Sequence, residues 1–282
     1  VEQAFRRYLV HLEQVQGRAP NTILAYDADL RQLRQAVKMA LGHDPSPLDL
    51  DAAAARAYVT WLSTQGYRPA TTARKAAAAR SFVEYLQTVE GLALPGVVPA
   101  LKAPTPRRRA PKVLTSEEVQ EMVNLAGRGG SPRGLRDAGI LAILYATGMR
   151  AADAVNLKVD DVDIEAATVR VAGSHLSPVP LGASLPVLES YLTAGRRHLA
   201  VAAEDKALFL NQRGRAMSRQ GLWLVVKRWA TAAGIGSEVS PHSLRHSLAY
   251  RLLDQGKSKR EVRMMLGLSS PNAMRLSREG DL

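Results

Sequence analysis

The 282-residue chain has no cysteine, so disulfides, thiol nucleophiles and thiolate metal sites are excluded. A reducing compartment such as the cytoplasm is compatible with that. No apolar run approaches the roughly 18 residues needed to span a bilayer, so no membrane partner is expected. The opening stretch, Val1 to Pro20, reads as an amphipathic helix and a turn, not a secretory signal. Aromatic residues make up only 5% of the chain, which argues against a surface that stacks single-stranded bases. Acidic residues are in the minority: 26 Asp and Glu stand against 38 Lys and Arg, a formal charge of +12. That excess points to a polyanion, most simply nucleic acid, although a merely soluble basic protein has the same balance. A hydrophobic fraction of 46% supports a packed core and excludes wholesale disorder.

The clearest boundary is the stretch from Lys102 to Lys112. It contains Pro104, Pro106 and Pro111, the basic residues Lys102, Arg107, Arg108, Arg109 and Lys112, and no acid. Proline removes backbone donors and blocks helix, so the segment reads as a semi-extended linker. Its charge suits either a phosphate backbone or plain solvent. It divides the chain into an amino-terminal region, 1–101, and a carboxy-terminal region, 113–282.

The first region has helical patterning throughout. Leu9, Leu12 and Val15 mark one face of a first helix, and Asn21 is placed to cap a second carrying Tyr26, Leu30 and Leu33. Val59 and Leu62 belong to a third helix. Thr71 to Leu86 forms a fourth, with Arg74, Lys75 and Arg80 among small alanines that allow close packing. These three basic residues face either DNA or water. After the linker, Thr115 and Glu118 form a capping box. Leu135 to Ala146 reads as a buried helix stopped by Gly148. Short strands follow at Val162 to Ile164, Thr168 to Val171 and Val179 to Leu181. Helices resume at Leu185 to Leu199, Ser218 to Ala232, Pro241 to Asp254 and Ser258 to Leu266. Within Ser218 to Ala232, Leu222, Val225 and Trp229 read as core, and Arg219 and Lys227 as candidate DNA contacts. The fold class is mainly α: a helical amino-terminal domain, then a mixed α+β domain with one three-stranded sheet.

Two constellations carry candidate chemistry. Thr147-Gly148-Met149-Arg150 presents an arginine on a tight turn directly after the buried helix. His242-Ser243-Leu244-Arg245-His246 opens a helix, and the spacing of three puts His242 and Arg245 on one face near its amino terminus. Two arginines and a histidine converging would neutralise a phosphate and stabilise extra charge in its transition state. Elsewhere the signals are bland. Glu117 and Glu118 are a helix start, not a catalytic carboxylate pair. Asp153, Asp160, Asp161 and Asp163 lack the spacing of a calcium loop. His11, His43 and His198 lack metal-ligand spacing. No metal or cofactor is expected.

In their order and context these motifs resemble the tyrosine recombinases, the family of phage integrases and Xer-type resolvases. The resemblance covers nearly the whole chain. Asn21 to Leu33 and Tyr67 to Leu86 resemble the amino-terminal SAM-like core-binding module. Lys102 to Glu118 resembles the interdomain linker and entry. Thr147 to Leu157, Val179-Pro180-Leu181, Pro241 to Leu253 and Leu266-Gly267 follow the order of the catalytic domain. The resemblance implies that Arg150, His242 and Arg245 clamp the scissile phosphate, with Asp153 supporting the Arg150 region. It also places the general-acid lysine at His175, a second histidine or tryptophan at Leu268, and the nucleophilic tyrosine at Ser277. All three of these positions depart from the family's pattern. A serine hydroxyl is a weaker acid than a phenol and needs an adjacent base to attack, and none is evident.

The leading expectation is therefore a duplex-DNA-binding protein on a recombinase scaffold that does not cleave by itself, closing around DNA in a C shape. Such a protein would act in the cytoplasm, associated with the nucleoid, alone, with further copies, or beside an active recombinase. The alternative is a working recombinase whose tyrosine comes in trans or from sequence missing here. A basic helical protein binding structured RNA is the third reading.

Overall fold

The computed structural model describes residues 1–103, 112–171, 178–201 and 206–267. The expectations at Arg107, Arg108, Arg109, His175, Leu268 and Ser277 lie outside them. The chain divides into two compact units, Val1–Arg108 and Arg109–Leu282.

The amino-terminal unit is built from α1 (Glu2–Gln14), α2 (Pro20–Leu41), α3 (Ala52–Thr64), α4 (Pro69–Thr88) and the short α5 (Val97–Ala100). Both long helices, α2 and α4, start with proline at the first helical position, where its fixed φ suits the helix and its missing N–H costs nothing. This moves the expected start of α2 forward: its cap is Ala19, and Asn21 lies inside the helix. The inner face of α1 is also rotated from the expected one. Ala4, Phe5, Tyr8 and Leu12 are buried, while Val15 is 71% exposed. The aromatic rings decide it. Phe5 and Tyr8 both pack edge-on against Phe82 of α4, with ring centroids 4.8 and 5.5 Å apart. The Tyr8 hydroxyl donates to Ser81 at 2.7 Å.

The carboxy-terminal unit contains α6 (Ser116–Gly127), α7 (Pro132–Thr147), α8 (Ala151–Asn156), β1 (Val162–Asp163), β2 (Thr168–Val169) and β3 (Val179–Pro180). These are followed by α9 (Leu185–Ser190), α10 (Arg197–Leu199), α11 (Arg219–Ala232), α12 (Pro241–Asp254) and α13 (Lys259–Met265). Thr115 and Glu118 form the expected capping box on α6, and Ser258 and Glu261 form another on α13. The helix expected over Leu185 to Leu199 is continuous but widens to π geometry at Tyr191–Arg196. There Gly195 has no room for a side chain: a Cβ would stand 2.9 Å from the Tyr191 ring and 3.1 Å from Leu135. The sheet is antiparallel in the order β1-β2-β3, with Val162 opposite Val169 and Val169 opposite Val179. Each strand is two residues long, shorter than its apolar pattern suggests.

α7 is the axis of this core. Ile140, Leu141, Ile143 and Leu144 are all fully buried, so it is apolar all round over its second half, as the middle of a core must be. Its one buried acid, Asp137, is satisfied by the Arg136 guanidinium at 2.7 Å and by the Trp229 indole N–H at 3.0 Å. Leu222 and Val225 of α11 pack in the same core, as expected, and Trp229 packs against it. Burying α7 fixes the position of its last turn, and the turn that follows carries the first candidate site residue.

Candidate nucleic-acid interface

α7 ends at a left-handed glycine. Gly148 has φ +61, its N–H caps Leu144 at 2.9 Å, and the Thr147 hydroxyl closes back on Ile143 at 2.6 Å. A side chain at Gly148 would collide with Leu266 and Leu248, at 2.5 and 2.7 Å. Only glycine therefore lets the end of α7 sit this close to α12 and the end of α13. The chain next buries Met149 and presents Arg150 at the start of α8. Asp153 accepts the Arg150 backbone N–H at 3.2 Å, fixing the turn as expected of it.

Arg245 meets this turn from α12. Ser240 caps α12, Pro241 occupies its first position, and the helix has the expected bounds. Arg245 is buried, with 8% of the residue exposed. It donates to the Gly148 carbonyl at 2.6 Å and to the Leu266 carbonyl. Arg150 donates to the neighbouring Gly267 carbonyl at 3.2 Å. Both arginines line one cleft, together with Thr147, Asp153, Val179 and Met265. Burial, and then the charge of Arg150, lower the Arg245 pKa to about 10, while Asp153 opposes that shift. Arg245 therefore stays charged at neutral pH. Two like charges held close together by backbone carbonyls form a site for an anion that can neutralise both.

His242 stands one turn before Arg245, with its side chain partly exposed and partly desolvated. Burial, and then the charge of Arg245, lower its pKa. The Nε2 atoms of His242 and His246 lie 2.7 Å apart. Sequence reasoning quoted His246 within the motif but gave it no role; its spacing of four from His242 was the available signal. It also missed that the Leu266-Gly267 turn supplies carbonyls to both arginines.

The other expected contacts are scattered. Arg74 of α4 is half-exposed and pairs with Asp29. Lys75 is corrected: its ammonium is buried, bonded to Asp29 at 2.9 Å and Gln32 at 2.7 Å, and cannot reach a ligand at the surface. Asp29 sits on α2, one turn below Gln32, so the lysine joins two helices. Arg80 is half-buried on α4, and Lys102 is exposed after α5. Lys112 donates to the Ile235 carbonyl and lies 3.5 Å from Glu238. Arg219 is exposed at the first position of α11, and Lys227 lies over the Trp223 ring at 4.2 Å. Among the described residues, no cluster of His, Cys, Asp or Glu is arranged to hold a metal, and no helix is long and apolar enough to cross a membrane.

The model of the phage integrase family matches residues 112–276, and that of the phage integrase N-terminal SAM-like domain matches residues 5–88. Tyrosine recombinase XerC of Herpetosiphon aurantiacus is 36% identical over 273 residues, covering 96% of this chain and 88% of the relative. Tyrosine recombinase XerD of Mycobacterium tuberculosis (strain H37Rv) is 38% identical over 281 residues, covering 93% and 88%. Two solved structures share the fold. XerH site-specific recombinase bound to its difH substrate has a TM-score of 0.66 at 22% identity, covering 89% of this chain and 74% of that one. A lambda integrase (75–356) dimer bound to a COC' core site has a TM-score of 0.68 at 18% identity, covering 97% and 93%. The matched domains lie in the order expected from the motifs, and the arginines that carried the resemblance meet in one cleft. The chain belongs to the phage integrase family, the tyrosine recombinases.

Proposed function

We propose that this chain binds duplex DNA by gripping a backbone phosphate between Arg150, Arg245 and His242, and that it does not cut that strand by itself. The observation that carries the reading is the meeting of two guanidinium groups in one cleft, each held by backbone carbonyls of the same Leu266-Gly267 turn. Such groups match phosphate oxygens in charge and geometry. The excess of 12 positive charges adds a sequence-independent attraction to the duplex. Exposed Arg219 on α11 and Arg74 on α4 supply further contacts, most of them to phosphates, which position the protein without specifying sequence.

The absence of cutting rests on three positions. Ser277 stands where the resemblance puts the nucleophilic tyrosine, His175 where it puts the general acid, and Leu268 where it puts the second histidine or tryptophan. A serine there has a far higher pKa than a phenol and no base beside it in sequence. The natural setting of such a protein is the nucleoid in the cytoplasm, with further copies or an active relative on the same DNA. XerH and lambda integrase, which share its fold, are themselves bound to DNA, the second as a dimer. A second reading is a working recombinase that receives its tyrosine in trans. It is favoured by identities of 36–38% across nearly the whole chain to proteins named recombinases.

One experiment separates the two. The protein is bound to a pool of nicked duplexes at low salt, the retained DNA is sequenced, and a parallel sample is boiled in detergent. Retention in native buffer with full release on denaturation is expected. DNA that survives denaturation on the protein would overturn the non-cleaving reading and establish the second. No retention at low salt would remove both.

A further inference from the structure

The pair formed by His242 and His246 has a geometry that fixes more than a contact. The two side chains lie one turn apart on α12, their rings meet edge to face with centroids 4.2 Å apart, and their Nε2 atoms are 2.7 Å apart. At that separation one of the two nitrogens must carry a hydrogen and the other must not. The second ring nitrogen of His246 decides which. Its Nδ1 is buried and has no hydrogen-bond partner. An N–H placed there would be an orphaned buried donor, a costlier arrangement than a bare ring nitrogen. The His246 proton therefore sits on Nε2, and His242 Nε2 is the acceptor.

We propose that His246 is a positioning residue: by donating its Nε2–H to His242 Nε2, it holds His242 neutral, in the tautomer that carries its proton on Nδ1. This inference rests on the reading of His242 as part of the phosphate clamp. It means that the clamp's charge is supplied by Arg150 and Arg245 alone, and that His242 offers a neutral N–H donor.

The surroundings favour the same state. Burial, then the charges of His242 and Arg245, hold the His246 pKa down at about 4. Burial and Arg245 lower that of His242. The charged groups acting on the pair are Arg245 on the same helix and, through it, Arg150 from the turn before α8 and Asp153 within α8. From α7, Tyr145 faces Arg251 at the other end of α12, with the guanidinium 4.4 Å from its ring centroid. A second proton on His242 would point Nε2–H at Nε2–H. The pair would have to break, or His246 would have to move its proton to the buried, unpartnered nitrogen. The device therefore resists the rise in histidine pKa that a bound phosphate would otherwise cause.

The test is a long-range 1H–15N correlation spectrum of the imidazole rings in the whole DNA-free chain, between pH 5 and 8.5. The chain has six histidines, and the His242 signals are those lost in His242→Gln. His242 is expected as the Nδ1–H tautomer, titrating below the free value of about 6.5. In His246→Leu it is expected to shift toward Nε2–H, with its midpoint rising toward about 6.5. In His246→Gln, whose amide N–H can replace the donor, the Nδ1–H form is expected to return. Duplex affinity should be flat between pH 6 and 8 in the wild type. In His246→Leu it should be about threefold tighter at pH 6 than at pH 8, the effect of one charge, about three-quarters present at pH 6, ~5 Å from a phosphate in water. Finding His242 as Nε2–H in the wild type, or with an unchanged tautomer and midpoint in His246→Leu, would overturn the proposal. The spectra need no DNA, so their outcome is separate from that of the clamp. Absent duplex binding with His242 still in the Nδ1–H form would refute the clamp and leave the His246 assignment standing.

Discussion

Gly148 links the core of the carboxy-terminal unit to the candidate clamp, and replacing it with alanine perturbs both. The added Cβ would stand 2.5 Å from a methyl of Leu266 and 2.7 Å from one of Leu248. Both leucines are buried, at 6% and 4% exposure, in one small apolar cluster. Alanine must also adopt φ +61, which costs an L-residue about 1–2 kcal/mol. Overpacking in a tight core adds about 1–3 kcal/mol. Gly148→Ala is therefore expected to destabilise the unit by about 2–5 kcal/mol. At a typical urea dependence this lowers the midpoint by roughly 1–2 M. Gly256→Ala is the control, because Gly256 also has positive φ, +85, but open space around its Cβ position. It should show the backbone cost alone, about 1–2 kcal/mol. The Gly148 carbonyl accepts from Arg245, so Gly148→Ala should also weaken duplex binding, and Gly256→Ala should not. Equal midpoints for the two variants would refute the packing argument. Lost stability with unchanged affinity would refute the link between this turn and the clamp.

Three further outcomes follow. Lys75→Met should destabilise the amino-terminal unit by about 3–5 kcal/mol, because it leaves the buried Asp29 carboxylate short of a partner. The double variant Asp29→Asn/Lys75→Met should lose less than the sum of the two single losses, as a double-mutant cycle of urea melts would show. The second outcome concerns pH. Unfolded histidine takes up a proton near 6.5, but folded His246 does so only at about 4. Its contribution is fully present above pH 6.5 and is lost as pH falls from there toward 4. Discounted for partial exposure, wild type should lose about 1–2 kcal/mol more than His246→Gln between pH 7 and 5, read from urea midpoints. The third concerns cutting. Ser277→Tyr combined with His175→Lys and Leu268→His should yield a DNA adduct that survives boiling in detergent, while the unaltered chain yields none.

Much of the fold was legible because its signals are local. Pro241 and Gly148 are start and stop signals that act within a few residues, and α12 begins and α7 ends where they say. The two arginines were legible as a pair through motif order, although they stand 95 residues apart. What escaped depends on partners distant in sequence. Lys75 looks like any basic residue on an alanine-rich helix. Its burial is set by Asp29, 46 residues earlier, and by Gln32. The face of α1 was misassigned because leucine and valine spacing was read before the aromatic contacts with Phe82, which only the packed helices reveal. His246 was in view, yet its role depends on which ring nitrogen is buried, and no spacing encodes that.

The most direct measurement of the central claim is the salt dependence of duplex affinity for wild type, Arg150→Ala, Arg245→Ala and the double variant. If the two arginines grip one phosphate, each single variant should weaken binding by about ten- to a hundredfold. The slope of log K against log salt should change little in either single variant, because the remaining guanidinium still neutralises the shared phosphate, and should flatten by about 0.9 in the double. Unchanged affinity and slope in the double variant, with the fold intact, would contradict the clamp.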